Sequence, residues 1–229
     1  MLFRSPAFPL QQYLDQVTPL GVTAGAVVSG SFHGFDQTYL IDALKKLGPR
    51  WVGVTQVPAD IEDAEILRLS NAGVRALRFN VFRGRIDGVQ EITALAKRTH
   101  AIAGWHAEIY ADAAALKPHI AELSKLPKLV IDHLGMTEAG VPVVLELVDA
   151  GARIKATGFG RVSLDVPRTI ETIAKRNPNA LVFGTDMPST RAQRPFSPAD
   201  IALIKQVLGP QLAHKALWRN AVDLYQPKV

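Results

Sequence analysis

Short apolar runs rich in β-branched residues recur along the chain at a nearly constant interval. They begin near Thr23, Trp51, Ala76, Ala103, Lys128, Arg153 and Ala180. The intervals between these starts are 28, 25, 27, 25, 25 and 27 residues. Segments of helical periodicity separate the runs, and this alternation predicts parallel βαβ units. Seven units at one interval favour a (β/α)₈ barrel, with a doubly wound sheet as the alternative.

The predicted helices have recognisable ends. Asp60 is placed to cap a helix that stops at Gly73. Ser197 and Pro198 open another helix, with proline at its first position, and Gly209 closes it. These signals support the assignment of helices between the strands.

The spacing also implies a strand ahead of Thr23. One interval back from Thr23 falls at or before Met1, and residues 9–20 have the pattern of the helix that follows that strand. We therefore expect a (β/α)₈ TIM-barrel-like fold that lacks or replaces its first strand. No linker or change in composition divides the chain, so residues 1–229 are predicted to form a single domain.

Composition narrows the possible functions. Hydrophobic residues make up 48% of the 229 residues and charged residues 21%, which excludes a disordered chain. The chain has no cysteine, which excludes disulfides, thiolate metal sites and cysteine nucleophiles. The net charge of +5 is dispersed, without a basic stripe for nucleic acid. The chain has no apolar run of membrane-spanning or signal-peptide length, so a cytoplasmic protein is expected. The basic net charge is compatible with a small anionic partner.

Polar residues recur where successive predicted strands end. They are Ser29, Ser31 and His33; Gln56; Arg78 and Asn80; His106 and Glu108; Asp132 and His133; Lys155, Thr157 and Arg161; Thr185 and Asp186. Each has a structural explanation of its own, such as a hydrogen-bonded core histidine or an aspartate in a turn. Their recurrence at one end favours a shared site, because active sites of barrels lie at the carboxyl ends of the strands.

Five segments of the sequence, taken together, resemble a known family. VRALRFNVF, GWHAEIY, LVIDHLG, VFGTDMP and NAVDLY resemble the amidohydrolase-related family of TIM-barrel hydrolases, and within it the branch of dicarboxylate lactone hydrolases. The resemblance extends from about Leu10 to Tyr225. It implies a hydrolase but says little about the substrate.

The resemblance also assigns roles to residues. It implies that Asp186 activates water, with His133 and His106 as further catalytic groups. Arg78 and Arg161 match positions that hold substrate carboxylates, and Arg83 or Arg85 is a candidate third. Asn80 and His33, from two other positions at the strand ends, are further predicted substrate contacts.

The chain departs from the family at its beginning. The family starts with a His-x-His pair on its first strand, whereas this chain opens Met1-Leu2-Phe3-Arg4. A divalent metal such as zinc would find at most His106, His133 and Asp186 here. Three ligands can hold catalytic zinc, but these positions are only part of the family's cluster, so no metal cofactor is expected.

The resulting hypothesis is hydrolysis of a lactone or related ester of a small carboxylate compound. Asp186 would act as general base, histidine would stabilise the oxyanion, and arginines would hold carboxylates. The alternatives are a catalytically impaired binding or assembly protein, or an N-terminally shortened fragment of a metal-dependent amidohydrolase. Strand edges exposed by the missing strand would favour a homo-oligomer.

Overall fold

Seven parallel strands form one sheet in the order of the sequence. The computed structural model describes residues 7–81 and 88–228. Within these ranges the strands are β1 (Gly25–Val28), β2 (Trp51–Thr55), β3 (Val74–Asn80), β4 (His106–Tyr110), β5 (Leu129–Ile131), β6 (Arg153–Ala156) and β7 (Leu181–Phe183). Every strand starts within three residues of its predicted start. The prediction of seven βα units is confirmed, and the sequential order excludes a doubly wound sheet.

Helices separate the strands as expected. They are α1 (Leu10–Val17), α2 (Thr38–Leu47), α3 (Asp63–Asn71), α4 (Val89–Ala103), α5 (Ile120–Leu123), α6 (Val141–Asp149), α7 (Val166–Arg176), α8 (Pro198–His214) and α9 (Asn220–Tyr225). The predicted helix over residues 9–20 is confirmed as α1 followed by a 3₁₀ turn. None of the helices in the described ranges has the length and apolarity to cross a bilayer.

The predicted helix ends were right for α8 and wrong for α3. Ser197 and Asp200 form a reciprocal capping box at the start of α8, and Gly209 breaks this helix with a φ of 68°. In contrast, Asp60 does not cap α3, which begins at Asp63 without a side-chain cap. The chain turns first, because Ile61 is buried and its amide donates to the Pro58 carbonyl.

The sheet curls so that its concave face has its own small core. Val52 of β2, Val130 of β5 and Val182 of β7 belong to one buried cluster with Leu224 and Tyr225 of α9. Strands five positions apart in the sheet can share such a cluster only if the sheet is strongly curved. The opposite face packs against the helices in two larger apolar clusters.

Helix α1 contacts two separated parts of the sheet. In the described part of the chain, β1 and β7 each pair with one neighbouring strand. Tyr13 of α1 packs edge-on against Trp51, with 5.7 Å between ring centroids, and hydrogen-bonds Thr185, just after β7. Burial raises the pKa of Tyr13 to about 12, although the bond to Thr185 acts the other way. Tyr13 therefore contacts both the second strand of the sheet and the segment just after its last strand.

Candidate active site

Two turns at the carboxyl ends of the strands carry strained residues. His133, two residues after β5, has a φ of 49°, and Asp186, three residues after β7, has a φ of 55°. Few residues other than glycine adopt this left-handed conformation, although aspartate tolerates it better than most. Such conformations are concentrated at functional sites, where the surrounding structure must hold them in place. Both residues are predicted catalytic groups.

The loop after β6 holds the imidazole of His133. Its Nδ1 lies 2.8 Å from the Thr157 hydroxyl, and its ring stands edge-on to Tyr110 with centroids 5.2 Å apart. Gly158 follows with a φ of 60°, and a Cβ there would lie 2.7 Å from His133 Nδ1. The glycine therefore permits both the turn and the close approach to the imidazole.

The charges around His133 identify its neighbours. Burial lowers the pKa of His133, the carboxylates of Asp132 and Asp186 act to raise it, and Arg161 and Arg78 act to lower it. The net pKa lies below its ordinary value, so the imidazole is neutral at pH 7. Asp132, Asp186, Arg161 and Arg78 are therefore the charged groups that act on the His133 imidazole.

Arg161 and Asp186 form an ion pair, called the outer pair below. Arg161 Nε donates to Asp186 Oδ2 over 2.5 Å, and each side chain is 16% exposed. The Arg161 amide donates to the Gly158 carbonyl, so the turn after β6 also positions the arginine. The proposed base is thus in contact with a predicted carboxylate-binding arginine.

A second group of charges, called the interior network, consists of Arg78, Asp132, Lys155 and Glu108. Arg78 donates from Nε to Asp132 Oδ2 over 2.9 Å, and Lys155 Nζ lies 3.0 Å from Asp132 Oδ1. Lys155 also donates to Glu108 Oε2. No side chain of the network is more than 10% exposed. Two cations and two carboxylates therefore alternate in a sealed chain.

The network keeps its members ionised despite burial. Burial raises the pKa of both Asp132 and Glu108, but the neighbouring groups, with the Lys155 ammonium first among them, together outweigh it, and both pKa values lie below their ordinary range. Burial likewise lowers the pKa of Lys155, but Asp132 and Glu108 together hold it above its usual value. Each charge therefore depends on its partners.

The predicted placement of His106 at the carboxyl end of its strand was wrong. Gly104, with a φ of 70°, caps α4 after Ala103, and His106 becomes the first residue of β4 instead. Its Nε2 lies 3.1 Å from Glu108 Oε1, and its ring contacts Tyr225 edge-on at 4.9 Å. Burial lowers its pKa, with the Glu108 hydrogen bond acting against this shift. His106 belongs with the interior network rather than with Asp186.

The predicted substrate contacts lie in different environments. Arg78 is bound to Asp132 and lies over the Tyr110 ring, 4.9 Å from its centroid. His33 stacks on Tyr39, and the Tyr39 hydroxyl donates to Ser29. Among the described residues, neither His33 Nδ1 nor Asn80 Oδ1 finds a hydrogen-bond partner, although both atoms are buried. The candidates Arg83 and Arg85 lie outside the described residues.

Two tyrosines were missed by the sequence analysis. Tyr110 ends β4 and contacts His133 and Arg78. Tyr225 ends α9, and its hydroxyl donates to Glu108 Oε1 over 2.6 Å. Alternation along β4 could have identified Tyr110, since it shares a face with Glu108. Tyr225 is 117 residues away from Glu108 and gave no comparable signal.

The three possible metal ligands do not fit a shared ion. His106 faces Glu108 and Tyr225 at the start of β4, while Asp186 is paired with Arg161. In residues 7–81 and 88–228, no three histidine, aspartate or glutamate side chains are arranged to bind one metal ion. Within these ranges, His106, His133 and Asp186 therefore do not form a metal site.

Similarity to known proteins agrees with this arrangement. The fold and site define a barrel-type α/β protein with its polar centre at the carboxyl ends of the strands. The amidohydrolase family model matches residues 3–226, and the chain belongs to this family.

Relatives and a solved structure give the comparison more detail. The chain is 28% identical to the 2-pyrone-4,6-dicarboxylate hydrolase of Comamonas testosteroni over 91% of its own length and 78% of the relative's. It is 28% identical to the 4-sulfomuconolactone hydrolase of Rhizobium radiobacter, over 97% and 82% of the two chains. A structure from Acinetobacter baumannii, a candidate 2-pyrone-4,6-dicarboxylic acid hydrolase with citric acid bound, matches with a TM-score of 0.83 at 20% identity. That match covers 97% of this chain and 91% of the other.

Proposed function

We propose that this protein hydrolyses a lactone or related ester of a small carboxylate compound, with Asp186 as general base. The observation that carries the proposal is the outer pair beside His133, which joins a base, a neutral imidazole and a guanidinium at the carboxyl ends of the strands. Relatives named for hydrolysis of a pyrone dicarboxylate and a sulfomuconolactone support this substrate class.

In this proposal, His133 polarises the scissile carbonyl. Its pKa lies below the ordinary value, so the imidazole is neutral and carries one proton. The proposal uses the tautomer with the proton on Nε2, in which the Thr157 hydroxyl, 2.8 Å from Nδ1, donates to that nitrogen. Nε2–H then donates to the carbonyl oxygen and stabilises the negative charge that develops on it.

Asp186 carries the proton between water and the leaving group. It removes a proton from water as the water oxygen bonds to the carbonyl carbon. The ring C–O bond then breaks, and the leaving oxygen takes the proton from Asp186. The product is a hydroxy acid with one more carboxyl group than the lactone, and the base is restored.

The other predicted contacts have narrower roles. Arg161 receives a substrate carboxylate, because guanidinium binds carboxylates in a bidentate manner. His33 and Asn80 are proposed to contact the substrate through their buried, unpartnered atoms. The proposal assigns no substrate contact to His106. Arg78 remains paired with Asp132. A cytoplasmic location, the lack of a nucleic-acid partner and association through strand edges stay predictions.

The test compares lactone hydrolysis by the wild type and by Asp186→Asn, which keeps the shape but removes the base. We expect activity to fall about 10²-fold or more, since general bases contribute rate factors of this size. The matched control is Asp149→Asn, which removes an exposed aspartate from a surface pair with Arg176. Activity of Asp186→Asn equal to that of the wild type would exclude Asp186 as the base.

Chelator and added zinc complete the same assay. We expect neither to change the wild-type rate, because the three possible ligands are separated or already paired. A large rate restored by zinc to chelated enzyme would contradict the metal-free mechanism. A wild type without activity on any carboxylated lactone would favour a binding or assembly role.

A further inference from the structure

The outer pair places the proposed base in a bond that has to change when substrate arrives. Arg161 Nε donates a hydrogen bond to Asp186 Oδ2, and both side chains are largely shielded from water. A carboxylate oxygen that accepts a charge-assisted hydrogen bond is strongly held by its partner. In this state one oxygen of Asp186 is engaged by the guanidinium rather than by water.

The pairing of the charges in the site indicates which cation an incoming substrate carboxylate can bind. In the interior network, Arg78 and Lys155 are balanced by Asp132 and Glu108, and all four are sealed. Among the site residues that the structure describes, this leaves Arg161 as the cation that a substrate carboxylate can reach. Its present partner is Asp186.

We propose that a carboxylate on the substrate activates Asp186 by taking over Arg161. The substrate carboxylate pairs with the guanidinium, and Asp186 is released from it inside a mostly buried site. An unpaired carboxylate in such a place readily accepts a proton, so the water bound beside it becomes the nucleophile. This inference rests on the proposed function and adds that the substrate's carboxylate controls kcat as well as binding.

The exchange creates selectivity without a further binding pocket. A neutral lactone that reaches His133 leaves the outer pair intact, and Asp186 stays engaged. The carboxylate of a carboxylated lactone pairs with Arg161 and thereby releases Asp186. Binding energy of the remote carboxylate is then used to raise kcat, which is the signature of selectivity expressed in the reaction step.

The first experiment uses a carboxylated lactone and the same lactone with a carboxamide in place of the carboxylate. We expect the wild type to hydrolyse the acid with a kcat about tenfold or more above its kcat on the amide. Arg161→Gln should hydrolyse the amide about tenfold faster than the wild type and lose activity on the acid chiefly through a raised KM, since its base is no longer engaged on either substrate. Added acetate should accelerate hydrolysis of the amide by the wild type and leave Arg161→Gln unchanged. Arg176→Gln, which breaks an exposed Arg–Asp pair, is the matched control.

The outcomes separate the exchange from simpler roles. Equal losses on both substrates would mean that Arg161 only positions Asp186, and the exchange would be wrong. A rise in KM for the acid without any gain in kcat on the amide would mean that Arg161 only binds substrate, which also overturns it. Acetate that accelerates both enzymes equally would act elsewhere and would count against the exchange.

A measurement without turnover distinguishes failure of the exchange from failure of the proposed function. The Nε–H resonance of Arg161, assigned by its loss in Arg161→Gln, is followed by NMR while succinate is added. A shift that saturates supports the exchange even if no lactone is hydrolysed, in which case the proposed function alone fails. Succinate that does not bind, or that binds by calorimetry without moving the resonance, overturns the exchange.

Discussion

The interior network and the outer pair both join basic side chains to carboxylates, but they differ in the number of partners that each charge has. Lys155 contacts two carboxylates, Asp132 contacts two cations, and Glu108 receives bonds from Lys155 and the Tyr225 hydroxyl. Among the residues that the structure describes, Asp186 has one charged hydrogen-bond partner, Arg161, and the pair is more exposed than any member of the network. The network cannot release a charge without leaving another unpaired, whereas the pair can exchange its partner for a ligand.

The comparison separates structural from chemical use of charge. Buried ion pairs are costly to break on one side, because the remaining charge stays in a medium that solvates it poorly. The outer pair, whose two side chains are each 16% exposed, lies nearer to solvent than the network, so its charges are better solvated when it rearranges. The interior network is suited to a fixed interior, whereas the outer pair is suited to a step in a reaction.

The largest expected effect is on the interior network. Lys155→Met leaves Asp132 and Glu108 close together with only Arg78 to balance them, so we expect a loss of about 3–5 kcal/mol in the free energy of unfolding. Urea denaturation measures the loss, and Arg161→Gln is the comparison. A loss below about 1 kcal/mol for Lys155→Met, the range of surface pairs, would mean that the two groups do not differ in this respect.

A smaller effect is expected where the network meets α9. Tyr225→Phe removes a buried hydroxyl that donates to Glu108, and hydrogen bonds to charged groups contribute about 1.5–3 kcal/mol. The control is Tyr39→Phe, whose hydroxyl donates to the neutral Ser29 and should contribute about 0.5–1.5 kcal/mol. Thermal and urea unfolding of both variants give the difference. Equal losses would show that the charge on Glu108 adds nothing to the bond.

The smallest expected effect is a pH dependence of stability. It involves His106, which lies beside the interior network, and His133, which lies beside the outer pair. The pKa values of His106 and His133 are lowered in the folded protein, chiefly by burial. Below the unfolded value of about 6.5, the unfolded chain therefore binds more protons, and stability falls as the pH drops from 7. Asp132 and Glu108, whose pKa values are also lowered, add a second decrease below about pH 4.5.

His106→Asn tests the first of these decreases. The variant should lose the share due to His106, at most about 1.4 kcal/mol per pH unit. Urea unfolding between pH 7 and 5 measures the slope for the wild type and the variant. Identical slopes would mean that His106 has the same pKa in the folded and unfolded chain.

Regular features of the fold could be predicted from the sequence, whereas the partners of its charges could not. Apolar runs at constant spacing are a local signal, and they located β2 and β6 to the residue. His133 and Asp186 were placed correctly because short turns follow β5 and β7. The error at His106 came from one boundary, where Gly104 ends α4 later than the apolar pattern suggested.

The partners of Lys155 and Arg78 depend on the curvature of the sheet. Lys155 meets Glu108 across 47 residues, and Arg78 meets Asp132 across 54, with strand alternation giving only the face on which each lies. A polar residue at a strand end therefore predicted a location. It did not predict whether the residue would face solvent, a substrate or an opposite charge.

The bond from Tyr225 to Glu108 has a consequence for how the chain folds. Six of the seven strands pair with the next strand along the sequence, so most of the sheet can assemble from nearby segments as each βα unit follows the last. The contact between Tyr225 and Glu108 closes a loop of 117 residues and adds the hydroxyl that Glu108 lacks until then. A ribosome-bound chain without α9 would hold this carboxylate incompletely satisfied, and its interior would be completed only as the last helix emerges and docks.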